Sequence, residues 1–220
     1  MMPFPGGPTT TENAMLIFAA VAALLYLFRL EGVRDWRRAL IKTLSTGLLA
    51  LLAFRAGGPG LLVAALVLSA FGDAFLAFDG DRPFAAGLAS FLAGHVAYAA
   101  LFFGEGGGLA LLTAPRLLIG VAMVGLAIGL IARLRPAVPD RLRGPVTAYG
   151  AAILAMGLTA LAVVAPLVVA GAALFMASDA LLGTERFLLD RDSPMRKPAR
   201  YAVWTLYWLG QAAIALGMLT

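Results

Sequence analysis

Apolar residues fall into eight long runs along the chain, at roughly 14–30, 38–54, 60–78, 83–103, 115–134, 145–164, 166–184 and 200–219. A helix needs about 20 residues to cross the hydrocarbon of a bilayer, so each run predicts one transmembrane helix. The breaks between them carry turn chemistry: Gly57-Gly58-Pro59-Gly60, Asp79-Gly80-Asp81-Arg82-Pro83, Gly104 to Gly108, and Pro136-Ala137-Val138-Pro139-Asp140. The sixth and seventh runs almost touch. One helix through both would overshoot any bilayer, so Pro166 is placed at the start of a new helix. The pattern predicts an all-α polytopic membrane bundle of eight transmembrane helices, one domain over residues 1–220.

Composition points the same way. The chain is 61% hydrophobic and only 13% charged, where a soluble domain carries roughly a quarter charged residues. A net charge of +5 would suggest nucleic acid in a soluble protein. Here 15 of the 17 Lys and Arg lie in the first, third, fifth and seventh loops or the helix ends beside them, leaving Arg55 and Arg116 on the other side. Positive loops stay cytoplasmic. The split therefore predicts an integral protein of a bacterial plasma membrane, with both termini outside and no nucleic-acid partner. Seven or nine helices would scramble it. Residues 1–13 are Pro/Gly/Thr-rich without Lys or Arg and read as a short extracytoplasmic tail. They lack the basic n-region of a secretory signal, so the first apolar run is expected to be retained. Absence of cysteine excludes disulfides and thiolate metal sites, and a single histidine excludes a multi-histidine centre.

Against this background a few polar residues stand out. Asp73 sits in Leu68-Ser69-Ala70-Phe71-Gly72-Asp73-Ala74-Phe75-Leu76, and Asp179 repeats the pattern 106 residues later in Leu174-Phe175-Met176-Ala177-Ser178-Asp179-Ala180-Leu181-Leu182. A carboxylate inside a membrane span is costly, and it usually faces a cavity or a partner. Both lie about two-thirds along helices running from outside to inside, so both are expected at one depth in the cytoplasmic half. The plain alternative is that each pairs with a basic residue and serves packing. His95, with Tyr98 one turn on, forms the next cluster; histidine can act as acid, base or donor near neutral pH, or simply bond between helices. Tyr207 and Gln211 lie one turn apart, deep in the last helix. Lys42, near the cytoplasmic end of the second helix, either snorkels to the interface or meets a lipid phosphate or a carboxylate. No short ligand motif joins Asp73, His95, Asp179 and Glu185, so no metal and no cofactor are expected.

The two halves also resemble each other: Gly72-Asp73 is followed by Gly94-His95, and Ser178-Asp179 by Gly210-Gln211. Either a four-helix unit is repeated, or Ala/Leu-rich helices align by composition alone; the residues leave both open.

These segments, Ser69-x-x-Gly72-Asp73, Gly87-x-x-x-Phe91-x-x-x-His95-x-x-Tyr98, Ser178-Asp179-Ala180-Leu181-Leu182 and Tyr207-x-x-x-Gln211, together resemble the YhhN-like family, whose characterised eukaryotic members are lysoplasmalogenases. The resemblance spans essentially the whole chain. It departs at Lys42-Thr43, where the family often has Lys-Pro, and at Glu185-Arg186-Phe187, where Asn tends to precede the basic-Phe pair. What it implies is hydrolysis of the vinyl ether of a lysophospholipid taken from the membrane, giving a fatty aldehyde and a glycerophospho-base. Such ethers hydrolyse by proton transfer to the β-carbon, and water captures the resulting oxocarbenium ion. Two carboxyls in one apolar cavity divide the roles of acid and ion-stabilising base, as in glycosidases. On this reading Asp73, Asp179 and His95 are catalytic, and Lys42, Ser69, Tyr98, Ser178, Tyr207 and Gln211 bind substrate. The rival reading is a proton-coupled transporter, which also places Asp and His on repeated helices.

Overall fold

The computed structural model describes residues 2–5, 7, 10–108 and 111–220. Those residues form eight helices: α1 Thr11–Arg29, α2 Trp36–Arg55, α3 Gly60–Leu76, α4 Asp81–Gly104, α5 Ala114–Leu134, α6 Asp140–Ala160, α7 Pro166–Phe187 and α8 Arg196–Leu219. The expected helices are all present, and the largest boundary difference is at α6. It begins at Asp140, directly after Pro139, and carries Pro145 inside its second turn. It stops at Ala160 because Arg116 Nη1 holds the following turn, donating to the carbonyls of Leu161 at 2.7 Å and Val163 at 2.9 Å.

Five helices, α1, α4, α5, α7 and α8, are long and apolar enough to cross a membrane, and the 17-residue α3 is apolar but shorter. The chain is an integral membrane protein. Helices α2 and α6 differ because their first turns are charged: Arg37 and Arg38, with Lys42 beyond, and Asp140, Arg141 and Arg143. Around the bundle a belt of large apolar side chains faces outward, with Phe28 87%, Phe103 82% and Leu126 75% exposed. Such a surface fits a hydrocarbon solvent rather than water.

Ion pairs collect the basic loops at one end. Arg34 of the α1–α2 loop meets Asp79 of the α3–α4 loop at 2.5 Å. Asp81 accepts Arg141 from α6 at 2.6 Å and lies 3.8 Å from Arg186 of α7. Glu185 takes Arg196 at 2.7 Å and Arg200 at 3.3 Å. The α6–α7 turn is at the opposite end, where Gly107 donates to Ala162.

The α3–α4 and α7–α8 pairs pack most extensively, and glycine makes the approach possible. A Cβ on Gly72 would lie 2.5 Å from the Phe91 ring, and one on Gly171 would lie 2.7 Å from the Gly210 carbonyl. Small residues let helix backbones close in where lipid supplies no hydrophobic push. Both aspartates sit on these tightly packed helices.

Candidate active site

Asp73 is completely buried near the basic end of α3. Its Oδ2 accepts hydrogen bonds from Thr46 Oγ1 on α2 at 2.8 Å and Tyr207 OH on α8 at 2.7 Å. Its Oδ1 lies 3.1 Å from Lys42 Nζ. All three partners are groups able to donate to this carboxyl. Lys42 reaches it because Arg38, Lys42 and Thr46 recur every four residues, which puts them on one face of α2. The ammonium also sits over the rings of Tyr26 and Trp204, at 5.8 and 5.7 Å.

Asp179 on α7 has a different environment. Tyr149 OH on α6 donates to its Oδ2 at 2.6 Å, and His95 Nε2 on α4 stands 3.3 Å from the same oxygen. The other ring nitrogen, Nδ1, is 2.5 Å from the Phe91 carbonyl. A carbonyl only accepts, so Nδ1 carries a hydrogen. Nε2 makes no hydrogen bond among the described residues, so its 3.3 Å approach to Asp179 is a close contact inside the protein.

The two constellations mirror each other. Asp73 takes donors from α2 in its own half and from α8 in the other. Asp179 takes its partners from α6 in its own half and α4 in the other. Phe175 lies between, with its ring centroid 4.7 Å from His95 and 5.2 Å from Tyr207.

Both aspartates line one polar cavity of about 170 Å³ at the basic end, together with Lys42, Ser178 and Tyr207. Ser178 Oγ donates to the Val203 carbonyl at 2.9 Å, which ties α7 to α8. A second, larger cavity of about 920 Å³ runs among α3 to α7 and is lined almost wholly by apolar side chains, with Asp179 and Tyr149 among the few polar ones. Leu76, Phe84, Phe91, Asp179, Leu182 and Arg186 border both spaces. The polar cavity and the apolar groove therefore adjoin along these six residues, with Asp179 the one carboxyl among them.

The remaining expected site residues lie behind this lining. His95 is buried and reaches the cavity through Asp179. Tyr98 donates to Gln211 Oε1 in a fully buried pair, set away from both cavities. Ser69 faces Gly94 in the α3–α4 seam, where a Cβ would come 3.4 Å from its Oγ. Thr46, Tyr149 and Arg38 were not singled out by the sequence. The four-residue spacing from Arg38 to Thr46 was visible in it, whereas Tyr149 carries no local signal.

A YhhN family profile matches residues 37–218 of this chain. Two curated proteins named lysoplasmalogenase, from Mycobacterium bovis and Mycobacterium tuberculosis, are each 35% identical over 163 residues, covering 71% of this chain. The chain spans 59% of the length of each of these relatives. No solved structure matches it.

Proposed function

The chain belongs to the YhhN family, and from that footing we propose that it is an intramembrane hydrolase that cleaves the vinyl ether bond of a lysoplasmalogen or a closely related lysophospholipid. The observation that carries this is the junction at Asp179, where a polar cavity with two carboxyls opens onto an apolar groove. A single-chain lipid has that shape: one apolar chain, a polar head, and the ether oxygen between them. The lysoplasmalogenase relatives support the same substrate class.

In this mechanism the alkenyl chain lies in the groove and the glycerol in the polar cavity. Asp179, acting as the acid, gives its proton to the vinyl carbon remote from oxygen, and the double-bond electrons form the new C–H bond. Asp73, held by Lys42, Thr46 and Tyr207, stabilises the oxocarbenium ion and takes a proton from water as its oxygen bonds to the cationic carbon. The hemiacetal then breaks at its glycerol C–O bond. The glycerol oxygen receives a proton, the hemiacetal hydroxyl loses one, and aldehyde and glycerophospho-base leave. Water is the only co-reactant. Asp179 is thus the acid and Asp73 the base, with His95 and Tyr149 positioning Asp179.

We place all eight helices across the membrane, with both termini outside and the site in the cytoplasmic half; the gathering of basic loops at one end supports this. The exchange of partners between halves fits a duplicated four-helix unit. The test is aldehyde release from a purified lysoplasmalogen. Wild type should release it, and Asp73→Asn and Asp179→Asn should each slow release by about a hundredfold or more, the scale of acid–base catalysis. No aldehyde from wild type, or undiminished release from both variants, refutes the reading.

A further inference from the structure

Five basic side chains line the polar cavity, and four of them are matched by carboxylates: Lys42 by Asp73, Arg34 by Asp79, Arg186 by Asp81, and Arg200 by Glu185 and Glu31. The cavity's acids are likewise taken, since Asp179 is held by Tyr149 and His95. Arg38 is the exception. It is only 6% exposed, and among the described residues no carboxylate lies within 4.0 Å of its guanidinium. The neighbouring Asp35 is spent on the helix cap, accepting from Arg38 N at 2.8 Å. The guanidinium donates one hydrogen bond, from Nη2 to Tyr26 OH at 3.1 Å, and stands 5.5 Å from the centre of that ring. Its buried Nε has no partner among the described residues.

A buried cation is expensive unless it is paired. The face of one tyrosine returns about 0.5–2 kcal/mol, short of what a desolvated charge requires. The site is built to be completed by an anion. A planar fork of donors suits a phosphate, which it can grip through two oxygens. Its distance from the reacting centre also fits. Arg38 precedes Lys42 by four residues, a rise of about 6 Å along the helix toward the basic end, so an anion on Arg38 sits roughly one glycerol unit from the Lys42–Asp73 pair.

We propose that Arg38 is the receptor for the phosphodiester of a lysolipid headgroup, with Tyr26 holding the guanidinium in place. This rests on the hydrolase reading for the identity of the lipid. It assigns headgroup recognition to Arg38 and leaves Lys42 to the carboxylate.

The test is binding, read by thermal unfolding of the full chain in maltoside micelles, which carry no phosphate. The probes are hexadecyl-glycerophosphocholine (an alkyl ether with no vinyl bond), hexadecylglycerol and inorganic phosphate. Wild type should bind the phosphocholine ether about tenfold or more tightly than hexadecylglycerol, the scale of a charge-assisted hydrogen bond. Arg38→Met should bind the two alike, and Arg38→Lys should fall between. Ligand-free Arg38→Met should melt at or above wild type, because an unmatched charge has gone. Equal affinity of wild type for both ethers overturns the proposal. So does a drop in the ligand-free melting temperature of Arg38→Met, which marks a structural arginine. Protection by inorganic phosphate as strong as by the phosphocholine ether overturns the lipid source in favour of free phosphate. No readout involves bond cleavage, so a chain that binds this way yet releases no aldehyde refutes the hydrolase reading alone.

Discussion

Replacing Lys42 with methionine keeps the length and apolar stem of the side chain and removes the cation facing Asp73. The lysine and aspartate side chains are 11% and 1% exposed, and their charges stand 3.1 Å apart. Removing one member of such a buried pair costs about 3–5 kcal/mol, because the other is stranded without a counter-charge. Asp73 keeps its bonds from Thr46 and Tyr207, so the lower end, about 3 kcal/mol, is expected. The double variant Lys42→Met/Asp73→Asn leaves neither charge behind and should lie within about 1 kcal/mol of wild type. Unfolding by sodium dodecyl sulfate in mixed micelles, followed by circular dichroism, measures all the variants on one scale. The aldehyde assay then separates stability from chemistry: the double variant should be nearly as stable as wild type yet inactive. Two results would refute the reasoning. One is a Lys42→Met variant within about 1 kcal/mol of wild type, the behaviour of an exposed pair. The other is a double variant whose deficit equals the sum of the singles, as independent sites give.

Two further outcomes follow from the site. Gly125 and Gly129 line the apolar groove, and a Cβ on either meets nothing within 4 Å. Gly125→Leu should therefore fold at least as well as wild type, since glycine is a poor helix former by about 1 kcal/mol, while rejecting long alkenyl chains in favour of short ones; an unchanged chain-length profile would remove the groove from the substrate path. The proton route is visible by isotope: hydrolysis in deuterium oxide should place one deuterium on the carbon next to the aldehyde carbonyl, and mass spectrometry showing none there would exclude protonation of the vinyl carbon.

The positions of the helices were legible because apolar run length and Gly/Pro punctuation are local properties. Asp73 and Asp179 were legible for a related reason, since a carboxylate in an apolar run stands out against its neighbours. Their partners were harder to read. Thr46 and Tyr149 are unremarkable in a helix and acquire meaning only when α2 meets α3 and α6 meets α7. Tyr98 shows what helix periodicity leaves open. It shares a helix face with His95, yet its hydroxyl points to Gln211 on α8 and away from the cavities. Which helices become neighbours is decided by glycine-lined contacts between segments far apart in the chain, such as Gly171 against Gly210, and single-helix periodicity carries no record of that choice. Lys42 shows a competition settled by geometry. Its side chain has the reach to snorkel, but its ammonium stands 3.1 Å from the Asp73 carboxylate on the next helix.

If the proposed hydrolysis takes place at Asp179, where the polar cavity and the groove border one another, cleavage there would also sort what it produces. The oily fragment would be left in the apolar groove, free to drift away sideways within the leaflet. The water-soluble fragment would be left in the cavity at the basic end, free to leave past the loops. On that reading neither fragment would have to pass through the space vacated by the other, and a fresh lipid would be able to slide in behind the departing chain while the head is still washing out.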